Sequence, residues 1–248
     1  MASIAIIGGT GLNSLKGLTI THREMVSTPY GPPSSPLIFG EICSTRIVFL
    51  ARHGSGHTIP PHQVNYRANL WALKESGVKN IIAVAAVGGI REDMLPGQIA
   101  FPDQIIDYTC SRQNTYFQDK QAVKHIDFTY PYSDTIRNAL MNGAKKTGIK
   151  PVLNGTYGAT QGPRLETVAE ILRLEKDGCD IVGMTGMPEA ALARELNLEY
   201  ACCAVIANWA AGKSDGVITM EEIDKNLKEG MTSARAILEQ TLPQLSGE

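Results

Sequence analysis

The sequence predicts an α/β protein: a three-layer sandwich with a mixed central sheet and helices on both sides. Three observations carry this. Apolar runs alternate with segments of helical spacing along most of the 248 residues, the pattern of a sheet covered by helices. Two runs, Lys79–Val87 and Tyr200–Ala207, are nearly continuous rather than alternating, as strands buried on both faces are. No linker, repeat or low-complexity stretch divides the chain, so residues 1–248 read as one domain, a length that a single core can support.

The elements follow in order. Ser3–Ile7 reads as a first strand running into Gly8-Gly9-Thr10-Gly11. Leu37–Cys43 and Arg46–Ala51 read as a strand pair joined by a short turn. Val64–Ser76 has helical spacing through Tyr66, Leu70, Trp71 and Leu73. Strands are expected at Lys79–Val87 and Gln98–Ile106, a helix at Asp134–Thr147, a helix at Glu166–Asp177 and a strand at Asp180–Met184. Pro188–Leu196 reads as a helix with proline in its first turn. After the strand Tyr200–Ala207, the capping box Thr219-x-x-Glu222 opens a last helix whose apolar face is Met220, Ile223, Leu227, Met231 and Ala234.

Composition excludes several classes. With 43% hydrophobic and 19% charged residues, the chain is expected to fold rather than stay disordered. Lys+Arg number 23 against 25 Asp+Glu, a net charge of -2, so no basic surface for nucleic acid is indicated. The longest apolar stretch, Ile81 to Val87, is far too short to span a bilayer. The N-terminus has no basic region before its apolar run, so it reads as a strand and not a signal peptide. Five cysteines form no C-x-x-C pair and read as reduced, mostly buried residues of a cytoplasmic protein. His53, His57 and His62 cluster in sequence without a nearby cysteine, so no metal site is expected.

In open α/β sheets ligands bind beyond the carboxyl ends of strands, and four such ends carry unusual residues. Gly8-Gly9-Thr10-Gly11 offers exposed amides and a hydroxyl, a plausible anion cradle, although a tight turn alone explains its glycines equally well. It is not a dinucleotide fingerprint, because Ser14 stands where a third glycine belongs. Arg52-His53-Gly54-Ser55-Gly56-His57 suits a dianion through bidentate bonds from Arg52 and further donors from the imidazoles. Ala85-Ala86-Val87-Gly88-Gly89 can present backbone N–H groups. Thr185 sits just before a helix N-terminus, another good anion position. Any one of these is readily structural; together, converging on one phosphate, they make a coherent site. Ala207–Ser214 nearly matches a P-loop, but the leading glycine is Ala207, Trp209 is bulky, and the helix opens at Thr219 instead of Lys213.

Several motifs then occur in a fixed order: Gly8-Gly-Thr-Gly11, Leu50-Ala-Arg-His-Gly-Ser-Gly-His57, Val64-Asn-Tyr-Arg-Ala-Asn69, Gln161-Gly-Pro-Arg164 and Met184-Thr-Gly-Met-Pro-Glu189. Together they resemble the trimeric purine nucleoside phosphorylase and methylthioadenosine phosphorylase family over nearly the whole chain. The resemblance implies cleavage of a purine nucleoside by inorganic phosphate, a co-substrate, with no metal or organic cofactor. It assigns phosphate to Thr10, Arg52, His53, the Ala85–Ala86 segment and Thr185. It sets Met184 against the ribose and Tyr66 near the sugar. It also implies a homotrimer in which His125 reaches the neighbouring subunit's pocket. Ala85 stands where adenine-specific members carry threonine, and Leu165 replaces an aromatic that stacks on the base.

Further positions bear on the substrate. The adenine enzymes of the family carry serine at Glu166 and an Asp-x-Asp after the last strand; this chain has Asn208-Trp209-Ala210 there, and the combination resembles the 6-oxopurine members. Glu166 can accept from N1–H, and the Asn208 amide can donate to O6 and accept from a protonated N7. Adenine reverses that edge, and unpaired buried polar groups discriminate strongly. Taken alone, Glu166 could equally be a helix N-terminal carboxylate and Asn208 a turn former. At the 5′ end, inosine and guanosine phosphorylases place a histidine, whereas this chain has none after His125. Val217 and Met220 are apolar and suit a methylthio group. The reading is a 6-oxopurine nucleoside phosphorylase for 5′-methylthioinosine, with Glu166, Asn208 and His53 as catalytic residues and no covalent nucleophile. The alternatives are a general inosine/guanosine phosphorylase, a methylthioadenosine phosphorylase, a non-catalytic nucleoside-binding module and a P-loop hydrolase.

Overall fold

A computed structural model describes residues 2–12, 15, 17–118 and 122–246; Ser14 lies outside them. The strands are β1 (Ile4–Gly8), β2 (Thr19–Glu24), β3 (Leu37–Ile42), β4 (Thr45–Ala51), β5 (Asn80–Gly89), β6 (Ile99–Ala100), β7 (Gln104–Asp107), β8 (Thr156–Ala159), β9 (Ile181–Gly183) and β10 (Glu199–Trp209). The helices are α1 (Tyr66–Glu75), α2 (Asp134–Thr147), α3 (Val168–Lys176), α4 (Gly186–Glu195) and α5 (Met220–Leu245).

The strands form one mixed sheet in the order β2-β3-β4-β1-β5-β9-β8-β7, with β10 paired to β5 and β6 to β10. The long apolar strand β5 lies parallel to β1 on one side and to β10 on the other. At its carboxyl end, beyond its pairing with β1, Gly88 and Gly89 pair antiparallel with β9 while remaining paired to β10. Residues alternate between the faces of β1: Ala5 and Ile7 pack with α1 and α4 residues such as Leu70 and Leu192, while Ile4 and Ile6 pack with α2 and α5 residues such as Leu140 and Ile237. These are the two outer layers of the expected sandwich. Each fully buried Ile or Leu contributes roughly 1.5–3 kcal/mol.

Several boundaries differ from the sequence reading for visible reasons. The expected strand Gln98–Ile106 is two strands, β6 and β7, with Pro102 between them, since proline cannot donate to a ladder. The helix expected from Glu166 starts at Val168: Thr167 is its N-cap, and Glu170 completes a reciprocal capping box. At α5 only half a box forms, Thr219 accepting from the Glu222 N–H. On that helix Met220 is exposed while Ile223, Leu227, Met231 and Ala234 are buried. Cys179, Cys202 and Cys203 are buried, but Cys43 and Cys110 are exposed. No helix of the described residues is long and apolar enough to cross a membrane.

Candidate active site

The parallel strands β1, β4, β5 and β10 end on one edge of the sheet, and β9 ends beside them. A cavity of about 460 Å³ opens at this edge. The four strand ends singled out in the sequence do converge there: Thr10, Arg52 with His53, Ala85 with Ala86, and Thr185 all line it.

Arg52 is almost fully buried. Its Nε donates to Glu189 Oε2 at 2.7 Å and its Nη2 to Glu189 Oε1 at 2.9 Å, while Nη1 donates to the Val84 carbonyl at 3.1 Å. The expected bidentate fork is therefore spent on Glu189, and one N–H on each terminal nitrogen remains for a ligand. Burial alone would push the guanidinium pKa down; the Glu189 carboxylate more than reverses this and holds it above its ordinary value. Tyr200 donates its hydroxyl to Glu189 Oε1 at 2.8 Å. Gly9 has to be glycine beside this group, because a Cβ there would lie 2.7 Å from the Val84 carbonyl oxygen and 2.8 Å from Arg52 Nη1.

The imidazole of His53 corrects another expectation. Its Nδ1 lies 2.8 Å from the Ile59 carbonyl, so that nitrogen carries the proton. Burial, and then the Arg52 charge, lower its pKa from 6.5 to about 4. At neutral pH His53 is uncharged, and its Nε2 is an acceptor rather than a second donor; a protonated phosphate oxygen would satisfy it. His57 stands next to it, ring centroids 4.7 Å apart, with Nε2 3.5 Å from Thr10 Oγ1. Thr185 is the N-cap residue of α4 but makes no side-chain cap bond to its own helix.

Glu166 and Asn208 meet in the same cavity, with Met184, Leu165 and Ala210. The capping box of α3 is closed by Glu170 rather than Glu166. Its Oε1 accepts from the Thr160 hydroxyl at 2.7 Å. The β5–β10 register shifts between Ile206 and Asn208, a bulge of the kind that re-aims side chains beside sites. The Asn208 Nδ2 donates to the Trp209 carbonyl at 2.7 Å, leaving Oδ1 and one N–H for a base. Trp209 itself does not line the cavity, whereas Ala207, Asn208 and Ala210 do. Gly162 sits at positive φ against Met184, and a Cβ there would collide with the methionine sulfur.

At the other end Met220 lines the cavity with Ile218, Ile223 and Leu227. Val217 does not: it is 84% exposed, and the apolar wall is one residue further on. Tyr66 is buried but absent from the wall; its hydroxyl donates to the Pro61 carbonyl at 2.9 Å and receives Arg112 Nη1 at 3.3 Å. It shapes the loop that lines the site. His125 is exposed and lines no part of this chain's cavity.

Sequence reasoning missed Glu189's pairing, Thr160 and Arg112. The Arg112 guanidinium donates to the carbonyls of Thr160, Gln161, Met184 and Met187, tying the Glu166 side of the cavity to the Met184 side. It lies in no motif, and no local signal would have found it. Lys213, the lysine of the near P-loop match, pairs with Glu175 at 2.7 Å, and the helix begins only at Met220.

At the strand ends of an α/β/α sandwich one cavity thus gathers threonine hydroxyls, a buried arginine, a carboxylate and a side-chain amide opposite an apolar wall, a setting suited to an enzyme of small polar substrates. The phosphorylase superfamily model matches residues 3–243. A protein of Pseudomonas syringae pv. tomato named "Probable S-methyl-5'-thioinosine phosphorylase" is 55% identical over 98% of this chain and 99% of its own length. The 6-oxopurine nucleoside phosphorylase of Pyrococcus furiosus is 45% identical over 90% of this chain and 85% of its own. Among solved structures, methylthioadenosine phosphorylase from Schistosoma mansoni in complex with adenine superposes with a TM-score of 0.95 at 32% identity, covering 100% of this chain and 93% of that one. The chain belongs to the phosphorylase superfamily. Within it the enzyme is a nucleoside phosphorylase, a pentosyltransferase.

Proposed function

We propose that this enzyme splits S-methyl-5′-thioinosine with inorganic phosphate, giving hypoxanthine and 5-methylthioribose 1-phosphate. One observation carries the reading: a single cavity combines Glu166 and Asn208 with an apolar wall of Ile218, Met220, Ile223 and Leu227. The first pair matches the N1–H, O6 and N7 edge of a 6-oxopurine. The second has no polar group for a ribose 5′-hydroxyl and suits a methylthio group. The names of the relatives from Pseudomonas and Pyrococcus support both halves.

In this mechanism the N-glycosidic bond lengthens, and positive charge builds on C1′ and the ring oxygen. Phosphate held by Thr10, Arg52, His53, the Ala85–Ala86 segment and Thr185 stabilises that charge and then captures C1′. The purine leaves with the electron pair of the glycosidic bond and takes a proton from solvent at N7; Asn208 Oδ1 accepts a hydrogen bond from that N7–H, and Glu166 accepts one from N1–H. Met184 packs against the ribose. No protein nucleophile is required. The family resemblance supports a homotrimer in which His125 reaches the neighbouring subunit's site. The matched span 3–243 supports a single nucleoside phosphorylase domain. The location we propose is the cytoplasm.

The test is phosphate-dependent base release from methylthioinosine, inosine, guanosine and methylthioadenosine. The expected order puts methylthioinosine first in kcat/KM. Preference for methylthioadenosine removes the role given to Glu166 and Asn208; equal use of inosine and guanosine removes the apolar 5′ reading.

A further inference from the structure

We infer that Thr160 is a positioning residue for base recognition: its hydroxyl fixes the Glu166 carboxylate so that Oε1 is occupied and Oε2 faces the purine. The inference rests on the proposed role of Glu166 and extends it to a residue outside the cavity wall.

Thr160 directly follows β8, and its main chain is held from two sides. Its N–H donates to the Gly183 carbonyl at 2.8 Å, and its carbonyl accepts from Arg112 Nη2 at 3.2 Å. The hydroxyl has one proton and two acceptors within reach, Glu166 Oε1 at 2.7 Å and the Gly183 carbonyl at 3.3 Å. The shorter, charge-assisted bond takes the proton. Glu166, by contrast, lies in the turn before α3, two residues ahead of the first helical residue, where its side chain has no helix to brace it.

The neighbouring groups leave Glu166 no other anchor among the described residues. Arg164, two residues before it, is committed to Glu170 through both terminal nitrogens at 2.8 Å. Arg112 is committed to carbonyl oxygens and to Gln161 Oε1. A carboxylate with no partner would rotate freely about its last torsion, and its preferred plane would be fixed only when the base arrived. A hydroxyl delivered from a strand end sets that plane beforehand, and such preorganisation is where specificity at a polar site is made or lost.

Thr160 should therefore govern which purine edge is accepted while leaving the phosphate cradle alone. Thr160→Val keeps the shape and removes the proton. It is expected to lower kcat/KM for methylthioinosine by about 10- to 100-fold, the range of one hydrogen bond to a charged group. The KM for phosphate should stay within about twofold, and the thermal midpoint should stay close to that of Thr160→Ser. Thr160→Ser restores the hydroxyl and is expected to recover most of the activity. In a Glu166→Ala background, Thr160→Val should cost little more, because the two residues act as one unit.

Each outcome decides something. Full activity in Thr160→Val, no recovery in Thr160→Ser, or the same further loss in the Glu166→Ala background overturns the positioning role. A Glu166→Ala enzyme that keeps its preference for the 6-oxopurine substrate overturns the base-recognition reading itself, and with it this inference. If Thr160→Val folds poorly, the Ser variant and hypoxanthine binding by calorimetry in Thr160→Ala give the same decision.

Discussion

Glu189→Gln isolates what holds the proposed phosphate cradle together. Arg52 and Glu189 are 1% and 0% exposed and meet through two hydrogen bonds, the shorter 2.7 Å. Glutamine preserves volume but turns one of its two ends into a donor facing guanidinium N–H groups, and the full charge of Arg52 is left buried. Removing one member of a buried pair costs about 3–5 kcal/mol. For a chain of this length that is a fall of roughly 6–20 °C in the melting midpoint. The same substitution makes phosphate the nearest counter-ion for Arg52. Saturating phosphate stabilises any binder by mass action, about 2.7 kcal/mol at a hundredfold excess over Kd, and it should lift the variant by more degrees than the wild type. The assay is thermal unfolding followed by circular dichroism, with and without phosphate, both proteins at one concentration. A loss below about 1 kcal/mol, the scale of an exposed pair, would refute the buried-pair argument. An equal phosphate lift in both proteins would refute Arg52 as a phosphate ligand.

Other perturbations reach the remaining parts of the site. Met220→His introduces a donor at a residue 67% exposed, so stability should hardly change; the ratio of kcat/KM for inosine over methylthioinosine should rise by about tenfold or more, and an unchanged ratio removes Met220 from the 5′ wall. Gly9→Ala pushes a methyl against Arg52 Nη1 and is expected to raise the KM for phosphate several-fold while the nucleoside KM holds; the reverse pattern would disown the cradle. His53 gives a pH dependence of definite sign. Its folded pKa is depressed from 6.5 to about 4, so above pH 6.5 it is neutral in both states and contributes nothing. As pH falls from 6.5 towards 4 only the unfolded chain takes up the proton, and stability drops by at most about 3 kcal/mol. Urea titrations of wild type and His53→Asn across that window should converge on acidification; parallel curves would show that the imidazole is not desolvated as described.

How much of this was legible in the sequence depends on how far each signal reaches along the chain. The strands β1, β5 and β10 announce themselves because burial on both faces writes a continuous apolar run. The strand β2, Thr-Ile-Thr-His-Arg-Glu, has every residue exposed and offers neither a run nor an alternation, so it was missed. So was β8, whose four residues Thr-Tyr-Gly-Ala are too few to show a period. The convergence of Thr10, Arg52 and Ala86 was legible because parallel topology brings the ends of β1, β4 and β5 to one edge; Thr185 follows β9, which pairs antiparallel with β5, and only its place before a helix N-terminus pointed to it. The Arg52–Glu189 pair was not, since 137 residues separate its members and each looks locally like something else, a free cation and a first-turn acid. Val217 was favoured over Ile218 for a similar reason: phase within the loop before α5 is set by turn geometry that residue types leave undetermined.

The concealed pair also bears on how the cradle can work. In the proposed mechanism the ribosyl group becomes cationic, and the phosphate must present negative charge to it. A cradle with an uncompensated arginine and two charged histidines would neutralise the dianion before C1′ could feel it. Here Glu189 balances Arg52, and His53 is neutral at pH 7. In the proposed cradle, phosphate would be held by hydroxyls, amides and the spare N–H groups of Arg52, which orient it without cancelling its charge. Electrostatic stabilisation acts where charge develops, and a compensated cradle keeps the anion's field for that purpose. Glu189→Gln tests this too: if the balance matters, phosphate should bind the variant more tightly while kcat falls.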